Sequence, residues 1–82
     1  MIFLEAITSF SQLEEVASAI SRPILVNSTE FGKTPIYSQD VWANHGASMV
    51  LYPLSAFRSM AQAALETYQT ILNEGSQESL LA

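Results

Sequence analysis

The chain has 82 residues, 49% of them hydrophobic and 13% charged, with no cysteine and a formal net charge of −5. That length holds one small domain at most, and the missing cysteines and single histidine exclude disulfide staples, thiolate zinc sites and a histidine metal cluster. The apolar content argues against disorder, and three basic residues against eight acidic ones leave no footprint for nucleic acid and little attraction to an anionic membrane.

Met1-Ile2-Phe3-Leu4 opens the chain as a short apolar, β-compatible run. No basic segment precedes it and Glu5 follows at once, so it is not read as a signal peptide. No run reaches the ~20 apolar residues of a membrane span, and a soluble, cytoplasmic setting is expected. Ser11-Gln12-Leu13-Glu14 has the pattern of a capping box. Behind it, Leu13, Val16, Ala17 and Ile20 fall on one face of a helix, which Arg22-Pro23 stops. Glu15 belongs to its solvated face.

A second strand is expected over Ile24–Val26. A short helix follows from about Ser38, its cap, to His45, with Gly46 ending it. Met49–Tyr52 gives the third strand. The longest helix starts near a Ser55 cap, carries Phe57, Ala61, Ala64, Tyr68 and Ile71 at spacings of four and three, and stops at Gly75. Ser76–Ala82 reads as a connection or a frayed tail. Trp42 and Tyr68 are expected to pack in the core or between helices.

The order β-α-β-α-β-α, with apolar runs instead of alternating ones, defines an α/β chain of three consecutive βα units with parallel strands. Two architectures fit: part of a (β/α)₈ barrel and part of a doubly wound sheet. Parallel sheets are covered on both faces and a whole barrel takes about 250 residues. Residues 1–82 are therefore expected to form a partial domain. In a barrel slice the helices would lie on one side of the sheet, with the inner face open.

Functional groups of βα folds gather beyond the C-terminal strand ends. Glu5 stands there after the first strand, Asn27-Ser28-Thr29-Glu30-Phe31-Gly32-Lys33-Thr34-Pro35 after the second, and Tyr52-Pro53-Leu54-Ser55 with Arg58 after the third. Glu5 is a candidate polar ligand, or else a solvated loop carboxylate. Asn27, Ser28 and Thr29 are short donors suited to a carboxylate or phosphate, or else simple turn formers. Arg58 lies in the first turn of a helix, where the macrodipole disfavours a cation, so it calls for an anion nearby. That anion is a ligand carboxylate or one of the chain's own acids. His45 is assigned to capping a helix C-terminus on the opposite face. No glycine-rich phosphate loop, zinc motif or nucleophile elbow is present.

Phe3-Leu4-Glu5-Ala6-Ile7-Thr8, the Asn27–Pro35 loop and Leu51-Tyr52-Pro53-Leu54-Ser55-Ala56-Phe57-Arg58 resemble the C-terminal half of the 2-methylisocitrate lyase family. That family lies within the isocitrate lyase/phosphoenolpyruvate mutase superfamily. The resemblance runs over nearly the whole chain, and other branches of the superfamily carry different residues in the second and third stretches. It implies the (β/α)₈ barrel, with the three strands matching the sixth to eighth. It also implies cleavage of 2-methylisocitrate to pyruvate and succinate in propionate catabolism, with Mg²⁺ as cofactor. Glu5, Asn27, Ser28, Thr29 and Arg58 fall on substrate-binding positions, Glu5 close to the metal's hydration shell. Leu4 replaces a usual proline, and Ser28 a common isoleucine, which leaves Ser28 its backbone amide as a donor.

The family's Mg²⁺-ligating aspartates and its Lys-Lys-Cys-Gly-His catalytic loop have no counterpart in these residues. No catalytic residue and no direct metal ligand is therefore assigned, and the isolated chain is expected to be inactive. A small carboxylate is the expected ligand, with self-association or a homo-oligomer as the expected assembly. The rival expectation is a non-catalytic interaction module that associates through its open sheet face. Another 2-oxo or phosphonate-type acid as substrate is a third reading.

Overall fold

A computed structural model describes residues 1–81. The tail expectation at Ala82 lies outside the described residues. The element order is β1 (Ile2–Leu4), α1 (Phe10–Ala19), β2 (Ile24–Asn27), α2 (Gln39–Asn44), β3 (Met49–Leu51), α3 (Ser55–Glu74) and a final 3₁₀ turn (Glu78–Leu81). The strands form one parallel sheet in the order β1-β2-β3. Phe3 lies opposite Leu25, Leu25 opposite Met49, and Asn27 opposite Leu51.

That register separates two faces. Ile24 and Val26 point to one side and are buried with Ile7, Leu13 and Trp42, while Ile2, Leu4, Phe10, Val16, Ala17, Ala47 and Val50 pack around them. This is the face that α1 and α2 cover. Phe3, Met49 and Leu51 belong to the other face and are 39–48% exposed. The continuous apolar runs therefore have apolar residues on both faces, only one of which is covered within the chain. The open inner face matches the expectation for a barrel slice.

Trp42 is buried, as expected, and anchors an aromatic group. Phe10 packs edge-on to Trp42, tilted against Tyr37 and flat on His45 at a centroid distance of 3.8 Å. That packing explains why helix α1 starts at Phe10 and Ser11 falls inside its first turn. The expected capping box is consequently not formed. Ser9 is the N-cap without a side-chain capping bond, and the Thr8 amide donates to Gln12 Oε1. Glu14 reaches instead to His45, whose Nδ1 lies 2.5 Å from Glu14 Oε1. An ionised carboxylate only accepts, so Nδ1–H donates. His45 also closes α2 as its C-cap, and Ser38 caps the N-terminus by accepting from the Val41 amide.

Helix α3 differs most from expectation. Gly75 ends it in the left-handed region, as its sequence position suggests. Its N-cap, however, is Leu54, and Ser55 lies inside the helix with its hydroxyl turned to Glu30. None of its 20 residues is buried, and Tyr68 is 73% exposed and not packed between helices. The molecule is 60 Å long with a radius of gyration of 18.6 Å, against about 12 Å for a compact chain of this length. Helix α3 projects from the sheet and leaves the open face uncovered.

Candidate functional site

The polar residues at the strand ends lie where a parallel sheet places them. Glu5 directly follows β1, and Ala6 turns the chain with a positive φ of 52°. Asn27 is the last residue of β2, and its loop turns back through a Thr29–Gly32 contact, the Gly32 amide donating to the Thr29 carbonyl at 3.3 Å. Phe31 lies within this turn at φ 63°. Two non-glycine residues in the left-handed region within one rim mark backbone held by its surroundings.

A cavity of about 390 Å³ opens at this rim, lined by Glu5, Ala6, Asn27, Thr29, Gly32, Lys33 and Thr34. Three of the five candidate residues therefore meet: Glu5, Asn27 and Thr29. Asn27 Oδ1 and Thr29 Oγ1 are sealed from solvent without a hydrogen-bond partner. Buried polar atoms are nearly always paired, so these two mark unmet hydrogen-bonding capacity at the rim. Lys33, a cation not selected from the sequence, also lines the cavity and forms no ion pair among the described residues.

Ser28 and Arg58 stand outside this lining. Ser28 is buried, and its amide donates to the Leu51 carbonyl at 2.8 Å. The backbone amide expected to serve a ligand is thus committed to joining β2 and β3, which follows from the side chain of Ser28 sharing the buried face of Ile24 and Val26. Arg58 has found an acid of its own chain. Its Nε lies 3.3 Å from Glu30 Oε2, its Nη2 donates to the Glu30 carbonyl at 3.3 Å, and its guanidinium stacks over the Phe31 ring. The Ser55 hydroxyl donates to the other carboxylate oxygen of Glu30. That hydrogen bond, with the backbone amide of Glu30 itself and the Arg58 charge, holds the Glu30 carboxyl below its ordinary range, against a smaller opposing effect of burial.

Glu30 was not singled out from the sequence. It lies 28 positions from Arg58 in a loop rich in more obvious donors. The only signal was the need for an anion near a cation in the first turn of a helix.

No protein-family model matches the chain. Among solved structures, 2,3-dimethylmalate lyase, a PEP mutase/isocitrate lyase superfamily member, superposes with a TM-score of 0.81 at 26% identity over 92% of this chain and 27% of that one. An oxaloacetate acetylhydrolase with bound oxalate shares the fold at a TM-score of 0.81 and 23% identity. The chain thus has the fold of part of a PEP mutase/isocitrate lyase superfamily barrel.

The sequence relatives narrow the group. The 2-methylisocitrate lyases of Shewanella oneidensis and Escherichia coli are each 44% identical over 99% of the chain, and that of Vibrio cholerae is 48% identical over the same share. Over the stretch it spans, the chain belongs to the 2-methylisocitrate lyase family. It spans about 28% of the length of the Shewanella and Vibrio relatives. No helix among the described residues is long and apolar enough to cross a membrane.

Proposed function

We propose that this chain carries part of the substrate site of a carbon–carbon lyase that splits 2-methylisocitrate into pyruvate and succinate. The observation that carries the reading is the meeting of Glu5, Asn27 and Thr29 on one rim cavity, with an unpaired hydroxyl on Thr29 that can donate. Asn27 through its side-chain N–H and Thr29 through its hydroxyl donate to a substrate carboxylate, Lys33 supplies positive charge from the cavity lining and Arg58 from beside it, and Glu5 orients the polar end of the substrate. Ser28 holds the strand from which its neighbours project. A cytoplasmic setting suits the cysteine-free chain.

Mg²⁺, the cofactor expected from the family, needs several hard oxygen ligands. Among the described residues no three His, Cys, Asp or Glu side chains converge, and Glu5 is the only carboxylate lining the cavity. These residues do not fit a Mg²⁺ centre by themselves.

The test is made on the 82-residue chain. Titration with succinate is expected to shift the amide resonances of Asn27, Thr29 and Lys33 in NMR spectra, while incubation with 2-methylisocitrate and Mg²⁺ releases no pyruvate. Unmoved rim amides at tens of millimolar succinate would remove the carboxylate site. Mg²⁺-dependent pyruvate release would show that the site is complete without further residues.

A second reading is favoured by a separate observation. Phe57, Met60, Leu65, Tyr68, Ile71 and Leu72 are 42–84% exposed on α3. Such an apolar surface marks an association site. We propose that the chain self-associates through it, whether or not it binds a carboxylate.

A further inference from the structure

Arginine offers a carboxylate two forks: a side-on edge made by Nε–H and one Nη2–H, and an end-on edge made by Nη1 and Nη2. Glu30 occupies the whole side-on edge of Arg58. Its carboxylate Oε2 faces Nε at 3.3 Å, and its backbone carbonyl accepts from Nη2 at 3.3 Å. Both Glu30 Oε2 and Arg58 Nε are sealed from solvent and make no hydrogen bond, so they face each other as an ion pair that excludes water from this edge. The Ser55 hydroxyl holds the second carboxylate oxygen, so Glu30 is itself fixed from helix α3.

The face of the guanidinium is covered as well. The Phe31 ring centroid lies 5.2 Å from Arg58 Cζ, a cation–π distance. Phe31 occupies the third position of the Thr29–Gly32 turn at φ 63°, where glycine or asparagine is the ordinary choice. The ring is 94% exposed and supports no core. The contact that this strained backbone holds in place is the one between the Phe31 ring and Arg58.

We propose that Glu30 and Phe31 form a clasp that presents Arg58 to a carboxylate ligand by its end-on edge alone. The proposal rests on the carboxylate-site reading above and adds the residues that aim its cation. Glu30 acts through Arg58 and is a positioning residue. Because the side-on edge is filled, an incoming carboxylate meets Nη1 and Nη2 in a fixed direction.

The chain has two arginines, Arg22 and Arg58, so each serves as the other's reference. Side-chain NMR of the 82-residue chain is expected to show Arg58 Nε–H exchanging at least about tenfold more slowly than that of Arg22. The difference disappears in Glu30→Ala and on acidification that protonates Glu30. Phenylglyoxal, which attacks the end-on nitrogens, is expected to modify Arg58. Succinate slows that modification at Arg58 and not at Arg22, and Glu30→Ala raises the succinate concentration needed by about tenfold.

Should Glu30→Ala lose its cooperative melt, Phe31→Gly carries the same test. It removes no buried side chain, relieves the turn, and is expected to weaken succinate protection without lowering the melting temperature. Equal Nε–H exchange at the two arginines of the unsubstituted chain would overturn the clasp. So would succinate protection left unchanged by both substitutions. Slow exchange at Arg58 with no protection by succinate refutes the carboxylate site instead, and the proposal falls with it by that separate route.

Discussion

If the apolar face of α3 drives self-association, placing charge on it should dissociate the assembly. Phe57, Met60, Ala61, Ala64, Leu65, Tyr68, Ile71 and Leu72 fall within an arc of roughly 140° at ~100° per residue. All are exposed, Leu72 at 84%. Fully burying a large apolar side chain contributes about 1.5–3 kcal/mol, so the six large residues offer on the order of 9–18 kcal/mol before costs. Association itself costs roughly 4–15 kcal/mol, which leaves a modest net affinity. Tyr68→Asp with Leu72→Asp removes two of the six, about 3–6 kcal/mol. At ~1.4 kcal/mol per decade, dissociation should strengthen by roughly 10² to 10⁴. Sedimentation velocity across a concentration series measures this, with Gln62→Glu on the opposite face as control. Helix content followed by circular dichroism shows whether α3 survives. An unsubstituted chain that stays monomeric at ~100 μM, or a double variant that associates as tightly as its parent, would refute the reasoning.

Gly46 has φ +113°, and a Cβ there would lie 2.9 Å from Ala17 Cβ. Gly46→Ala is expected to cost about 1–3 kcal/mol in chemical denaturation. Adding Ala17→Gly should recover the contact but not the backbone strain, so full recovery would exclude the strain. Trp42 is buried with its Nε1–H unpartnered. Trp42→Ala should cost about 3–5 kcal/mol, whereas Trp42→Phe, which also removes the orphan donor, should cost less than about 2 kcal/mol. Equal losses would mean that the indole N–H is satisfied in solution. The lowered Glu30 pKa has a defined sign. Its stabilising effect is present above the ordinary carboxylate value of 4.5 and fades as pH falls through the lower folded value. Glu30→Gln should therefore lower the melting temperature at pH 7 and converge with the parent at low pH, and a gap that widens on acidification would contradict the assignment.

The parts of this fold that depend on neighbours in sequence were legible before the structure. The βα order, the Ser38 cap and the Gly75 stop all follow from patterns a few residues long. Trp42 and Tyr68 carried the same expectation of core or helix packing, which Trp42 meets and Tyr68 does not. What failed depends on distant partners. Ser11 and Glu14 satisfy a local capping pattern, but Phe10 stacks on His45 and Glu14 pairs with it across 31 positions. A tertiary aromatic contact outweighed a cap worth about 1 kcal/mol. Amphipathicity showed which face of α3 is apolar, but no periodicity states what lies against that face.

The rim shows the same division. Alternation along β2 sends Ile24, Val26 and Ser28 to the buried face, while Leu25 and Asn27 turn to the open one. Adjacent residues of one donor-rich motif thus serve different ends: Ser28 joins strands, while Asn27 and Thr29 face the cavity. The first-turn position of Arg58 indicated that an anion was required, and chemistry alone left its source open. Glu30 answers that requirement without neutralising the arginine for other ligands, because it fills one edge of a group that has two. The ion pair within the chain and the ligand-binding role, set as alternatives from sequence, are compatible in the folded rim. On the proposal above, the first holds the guanidinium in the orientation that the second would use.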